Sequence, residues 1–233
     1  WMGFPFFFCV FAAGSDLIRF FLKRLPFRGS VSIANSRRFR RTLVAVISGL
    51  TLVTGGCALR EAYKIGITQL DVPLRGLPAE MEGFTVLQVS DVHYGMLVES
   101  GRLSEIVERI NELNPDIVVI TGDLVDESVS HMEKMAGPLS KLKSRLGVFA
   151  VTGNHEYYAG VDRVVAILEG AGIRLLRNEV AVLPGGLQLL GIDDPTGARR
   201  VGAPVPAFNR LVSTLDPRKP SILLYHQPHN FER

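Results

Sequence analysis

The feature that most constrains the fold is the run Ile117-Val118-Val119-Ile120, followed at once by Thr121, Gly122 and Asp123. A β-branched run that stops at Gly-Asp predicts a strand buried on both faces. Such a strand delivers a carboxylate to the carboxyl edge of a parallel sheet, where α/β proteins keep their sites. Three further clusters read the same way: Asp91-Val92-His93 after residues 84–90, Gly153-Asn154-His155-Glu156 after residues 147–152, and His226 after residues 222–225. Carboxylate, imidazole and amide side chains converging from separate strands are the ligand types of divalent ions, and this mixture suits a site for two.

Between these strands the spacing turns helical. Leu103, Ile106, Val107, Ile110 and Leu113 share one face of a helix predicted over residues 100–113, and Asn114-Pro115 stops it. Residues 129–143 read as a second helix and 161–168 as a third, with Val161, Val164, Val165 and Leu168 in register. Residues 173–176, 180–183 and 187–192 are short strands, punctuated by a turn at Pro184-Gly185-Gly186. Repeated βαβ units imply a layered α/β fold with a largely central sheet.

The chain has 233 residues, 47% of them hydrophobic, and its charge is unevenly spread. Residues 1–60 hold nine Lys/Arg and one acid, Asp16, whereas residues 61–233 hold seventeen Lys/Arg and twenty-two acids, so the two parts carry +8 and −5. The basic character belongs to the first part alone, which gives no reason to expect a nucleic-acid surface on the second. Residues 1–60 read as a membrane region. Residues 1–15 are uncharged and predict a partial span whose beginning is missing, residues 16–41 a basic cytoplasmic loop, and residues 42–59, eighteen without a charge, a second span. The positive-inside rule then places the rest of the chain outside the cytoplasmic membrane: residues 61–83 as a linker and lead-in strand, and residues 84–233 as the globular domain. Ser36-Arg37-Arg38-Phe39 is similar to a twin-arginine export signal, so residues 42–59 are either a retained anchor or a cleaved signal. The two cysteines, Cys9 and Cys57, both lie in this region, which excludes a disulfide framework or a zinc–thiolate site in the domain.

Asp91-Val92-His93, Gly122-Asp123-Leu124-Val125-Asp126, Gly153-Asn154-His155-Glu156 and His226 together resemble, in order and each at a strand end, the motif blocks of the calcineurin-like metallophosphoesterase superfamily, over about residues 84–229. The layout is similar to that of the family's bacterial membrane-associated branch. The resemblance implies a layered α/β fold, a sheet sandwich flanked by helices. It also implies hydrolysis of phosphodiesters, or of phosphomonoesters, by a hydroxide activated by two divalent ions drawn from manganese, iron, zinc or magnesium. In the roles it implies, Asp123 bridges the ions, Asp91 and His93 ligate the first, Asn154 and His226 the second, His155 protonates the leaving oxygen, and Asp126 orients His155. The family's final Gly-His-x-His block has no counterpart, since no Gly-His occurs in the sequence. The expectation is a fragment cut at both ends, two ligands short and inactive or a poor metal binder by itself.

Other polar residues carry weaker readings. His131 reads as a solvated helix residue, His229 as a turn residue beside Pro228, and Asp193-Asp194 before Pro195 as turn chemistry. Tyr157 and Tyr158 read equally as pocket wall or as packing. Two other functions fit the sequence: hydrolysis of the pyrophosphate in a UDP-2,3-diacylglucosamine-type lipid during lipid A synthesis, and a non-catalytic, metal-stabilised, membrane-anchored binding domain. The expected partners are a phosphoester small molecule or lipid headgroup and the membrane.

Overall fold

The computed structural model describes residues 3–24, 30–95, 98–126, 132–205 and 207–227. His131 and His229 therefore lie outside the described residues. The chain divides into two compact units, Trp1–Gln69 and Leu70–Arg233.

The first unit is helical: α1 (Gly3–Arg24), α2 (Ser30–Asn35) and α3 (Arg37–Ala62). Both α1 and α3 are long and apolar enough to cross a membrane, at about 33 and 39 Å for 22 and 26 residues. Each extends beyond the charge-free stretch that predicts it, because Lys, Arg and Glu are good helix formers and do not end a helix that an apolar segment has nucleated. Ser36 starts α3, its hydroxyl accepting from the Phe39 N–H at 3.1 Å. Large apolar side chains point outwards here, Phe6 and Leu52 being 64% and 67% exposed.

In the second unit β1 (Val86–Val89), α4 (Ser100–Glu112), β2 (Ile117–Ile120), α5 (Ala136–Leu139), β3 (Val148–Ala150), α6 (Asn154–Tyr158), α7 (Val161–Gly170) and β4 (Arg174–Leu175) follow in order. The four strands form one parallel sheet in sequence order, with Val86 opposite Ile117 and Val118 opposite Val148. Then come β5 (Glu179–Val182), β6 (Gln188–Gly191), α8 (Pro195–Arg200), α9 (Phe208–Val212) and β7 (Ser221–Leu224). A second sheet has the order β5-β6-β7, antiparallel at the hairpin and parallel from β6 to β7. The hairpin turns at Pro184–Gly186, where Gly185 takes a φ of 82° that other residues resist.

The two-residue period of β2 fixes the layers. Val118 and Ile120 pack with Leu103, Ile110, Leu139, Val164 and Leu168 beneath the helices, while Ile117 and Val119 pack with Leu187, Leu189 and Leu224 of the second sheet. Helices, parallel sheet and second sheet are thus three layers around two apolar cores. Of the helix expected over 129–143, the described residues form a 3₁₀ turn at Met132–Met135 and then α5, because Pro138 lacks the N–H that an α-helical bond back to Lys134 would need. Leu113 is exposed, since α4 ends at Glu112 and Asn114 turns left-handed at φ 46°.

Candidate metal centre

The loops that leave β1, β2 and β3 are zipped together by their backbones. Asp91 N–H donates to the Gly122 carbonyl, His93 N–H to Asp123 and Tyr94 N–H to Leu124, at 3.1, 3.1 and 2.8 Å. Gly122 and Gly153 allow this approach, because a Cβ on Gly122 would lie 2.6 Å from the Gly153 nitrogen. Three residues on these loops hold left-handed backbone without being glycine: Asp91, His93 and Asp123, with φ of 55°, 49° and 50°. Conformations of this kind persist only where the surroundings over-determine them, and they cluster at functional sites.

The surroundings here are supplied by Glu156. Its buried carboxylate accepts from the N–H groups of Asp123 and Gly153 on one oxygen, at 2.9 and 2.6 Å, and from Leu124 and Val125 on the other, at 2.8 and 3.3 Å. Burial pushes its pKa up, while these donors oppose the shift. The glutamate therefore fastens the loop after β3 to the loop after β2. The sequence reading gave Glu156 no role of its own, although Gly153 with Glu three positions on is the spacing of a capping box, and that signal marks a side chain turned back on the backbone.

Asp123 stands at the focus. Its Oδ1 accepts from the His155 backbone N–H at 3.0 Å, and its Oδ2 faces the Nε2 atoms of His226, His93 and His155 at 3.3, 3.9 and 4.0 Å. His93 Nε2 also lies 4.0 Å from Asp91 Oδ1. Among the described residues, two groups have ligand atoms within 4.8 Å of one another, His93 with Asp123 and His155, and Asp91 with Asp123 and His226, and Asp123 belongs to both. Burial opposes the charge of Asp123, but the His226 hydrogen bond and the His155 N–H hold its pKa below the usual carboxylate value. Burial likewise opposes protonation of His226, yet Asp123, the Thr121 carbonyl at 2.8 Å from Nδ1, and the charge of Asp91 push it up to about 9.

The remaining expected residues lie at the rim. His155 Nδ1 lies 3.5 Å from Asp126 Oδ1, and the His155 and His93 rings meet edge to face at 4.7 Å. Asn154 opens α6, and its side-chain oxygen accepts from Gln227 Nε2 at 2.6 Å, while Gln227 Oε1 accepts from the Thr196 hydroxyl at 3.0 Å. This chain of contacts ties α6, α8 and the segment after β7 together, and nothing in the sequence around Gln227 marks it. Tyr157 is buried, whereas Tyr158 is half-buried with its ring 5.5 Å from that of His155. Asp193 and Asp194 are both buried: Asp193 meets Arg177, Asn178 and Thr152, and Asp194 caps α8 by accepting from the Gly197 N–H at 2.6 Å.

A family model described as calcineurin-like phosphoesterase matches residues 84–232. Among curated proteins, the chain is 35% identical over 211 residues to a zebrafish (Danio rerio) transmembrane protein with metallophosphoesterase domain, covering 87% of this chain and 48% of that protein. It is 37% identical over 143 residues to a metallophosphoesterase of Helicobacter pylori strain 26695, covering 61% and 38%. An Aquifex aeolicus metallophosphoesterase is 34% identical, covering 77% of this chain and 68% of its own length. The chain thus spans about half or less of the first two relatives.

Proposed function

The chain belongs to the calcineurin-like phosphoesterase family, and from that premise we propose that the protein containing it is a membrane-anchored hydrolase of phosphodiesters. The observation that carries the reading is Asp123 Oδ2, a single carboxylate oxygen facing three imidazoles at 3.3 to 4.0 Å. That donor set, with Asp91 beside it, fits hard or borderline divalent ions, and the Asn154 oxygen, which accepts from Gln227, would have to exchange that bond for an ion. Asp91 and His93 would hold one such ion and Asn154 and His226 another, with Asp123 the residue that would serve both. When bound, such ions make a water nucleophilic near neutral pH and offset charge on the phosphoryl oxygens.

The chain's own residues supply the rest. His155 Nε2 faces the centre and gives a proton to the leaving oxygen, while Asp126, with Oδ1 3.5 Å from Nδ1 on the far side of the ring, is close enough to orient the imidazole once the two draw together in the loaded site. The left-handed backbone at Asp91, His93 and Asp123 aims three ligands inward before anything binds, which reduces the reorganisation that binding requires. The two apolar helices and the transmembrane relative support anchoring in a membrane. The basic residues Arg37, Arg38, Arg40 and Arg41 at the start of α3 favour the cytoplasmic side for that end, which leaves the phosphoesterase unit extracytoplasmic.

The test is hydrolysis of bis-p-nitrophenyl phosphate by the full-length protein, with added manganese and with a chelator. Turnover that manganese restores and the chelator removes is the expected result. Turnover insensitive to both contradicts the proposal. Turnover confined to a UDP-linked lipid would move the substrate to the pyrophosphate class.

A further inference from the structure

Arg145, Arg163, Arg174, Arg177 and Arg218 each meet a carboxylate. Arg200, at the exposed end of α8, meets none among the described residues. Instead its guanidinium carbon lies 4.5 Å from the centroid of the Tyr158 ring. Tyr158 in turn lies 5.5 Å from the His155 ring, so the guanidinium is within 10 Å of the imidazole when the two spans are laid end to end. A guanidinium seated over a ring keeps N–H donors to offer, and their fork meets phosphate in pairs.

The placement of Arg200 is built into the fold. Helix α8 packs on α6 through Gly197, where a Cβ would lie 2.7 Å from the Tyr157 ring and 2.8 Å from the Asn154 Cα. Asp194 and Pro195 fix the start of α8, and the Thr196–Gln227–Asn154 bonds tie its first turn to α6. Arg200 is thus held at a set distance from His155 by backbone contact and capping.

We propose that Arg200, stacked on Tyr158 beside His155, recognises a second phosphate carried on the leaving side of the substrate. The inference rests on the phosphodiesterase reading, in which His155 faces the leaving oxygen. The substrate class is then a diester whose departing alcohol bears a further phosphate across a short bridge of glycerol or pentose size.

The test compares two substrates of the full-length, manganese-loaded protein: glycerophosphoglycerol, and the same diester with a terminal phosphate on the leaving glycerol. The wild type should favour the second in kcat/KM by about 10- to 100-fold, the range of a hydrogen bond between charged groups. Arg200→Gln should remove that preference, mostly through KM. Arg200→Lys should restore part of it, because a point charge lacks the fork. Arg210→Gln, on α9, should retain it. Non-hydrolysable phosphonate analogues titrated by calorimetry should bind in the same order. Equal rates on both substrates, or an equal loss on both in Arg200→Gln, overturns the inference and leaves the phosphodiesterase reading standing. No turnover of either by the wild type overturns both.

Discussion

The two sheets contribute to the candidate centre in opposite ways. The edge of the parallel sheet supplies candidate ligands from left-handed backbone, and the side chains of Asp91 and His93 are 58% and 36% exposed while that of Asp123 is 7%. The second sheet supplies His226, whose side chain is only 7% exposed and whose Nδ1 is already held by the Thr121 carbonyl. One edge carries strain and opens to solvent at Asp91 and His93, while the other presents a pre-aimed imidazole whose charge answers that of Asp123. The difference teaches where the centre is vulnerable: the strained edge depends on a strut, Glu156, and the buried edge depends on charge balance.

The sharpest way to break the comparison is to remove the residue both edges share. Asp123→Asn should take diester hydrolysis beyond the roughly 10⁴-fold loss that absence of a general acid can cause, read as kcat with saturating manganese. Next, His155→Gln should lower kcat by about 10²- to 10⁴-fold. Its metal content distinguishes two roles: ions retained support a proton donor, and an ion lost supports a ligand, since His155 groups with His93 and Asp123.

Glu156→Ala tests the strut. It leaves four backbone N–H groups without their acceptor and should destabilise the fold by about 3 kcal/mol, measured by denaturant unfolding of the metal-free protein.

The smallest effect belongs to the buried edge. In metal-free protein His226 binds its proton up to about pH 9, against an ordinary 6.5, so protonation favours the folded state. That stabilisation is complete below about pH 6.5 and is lost as pH rises through about 9. Asp123, whose pKa is lowered from 3.8, stabilises above that value and loses its contribution as pH falls through its lowered pKa. The thermal midpoint of the metal-free protein should therefore fall between about pH 7 and 10, and the fall should be smaller in His226→Gln. Manganese competes with the same proton, so its apparent affinity should rise over that interval.

Much of this architecture is legible in residue patterns because it depends on local periodicity. The alternation within Ile117–Ile120 that divides the two cores follows from the pleat, and the strand-end blocks announce polar side chains where an apolar run stops. What stays hidden depends on contacts between distant segments. Glu156 looks like one more acid in a motif until the loop after β2 folds onto it. Gly197 reads as an ordinary helix glycine until α6 presses on it, and Arg200 as a surface cation until Tyr158 lies beneath it. The short helix at 136–139 falls short of the helix expected over 129–143, since Pro138 cannot donate the bond that would join it as α-helix to the 3₁₀ turn before it.

The most direct test of the central claim is a count of ions per chain. The full-length protein would be equilibrated with manganese, freed of excess and analysed by inductively coupled plasma mass spectrometry, beside a folded Asp123→Asn variant. The account predicts about two ions per chain in the wild type and loss of both in the variant, because one carboxylate serves both positions. A wild type that binds none, or a variant that keeps its full complement, contradicts it.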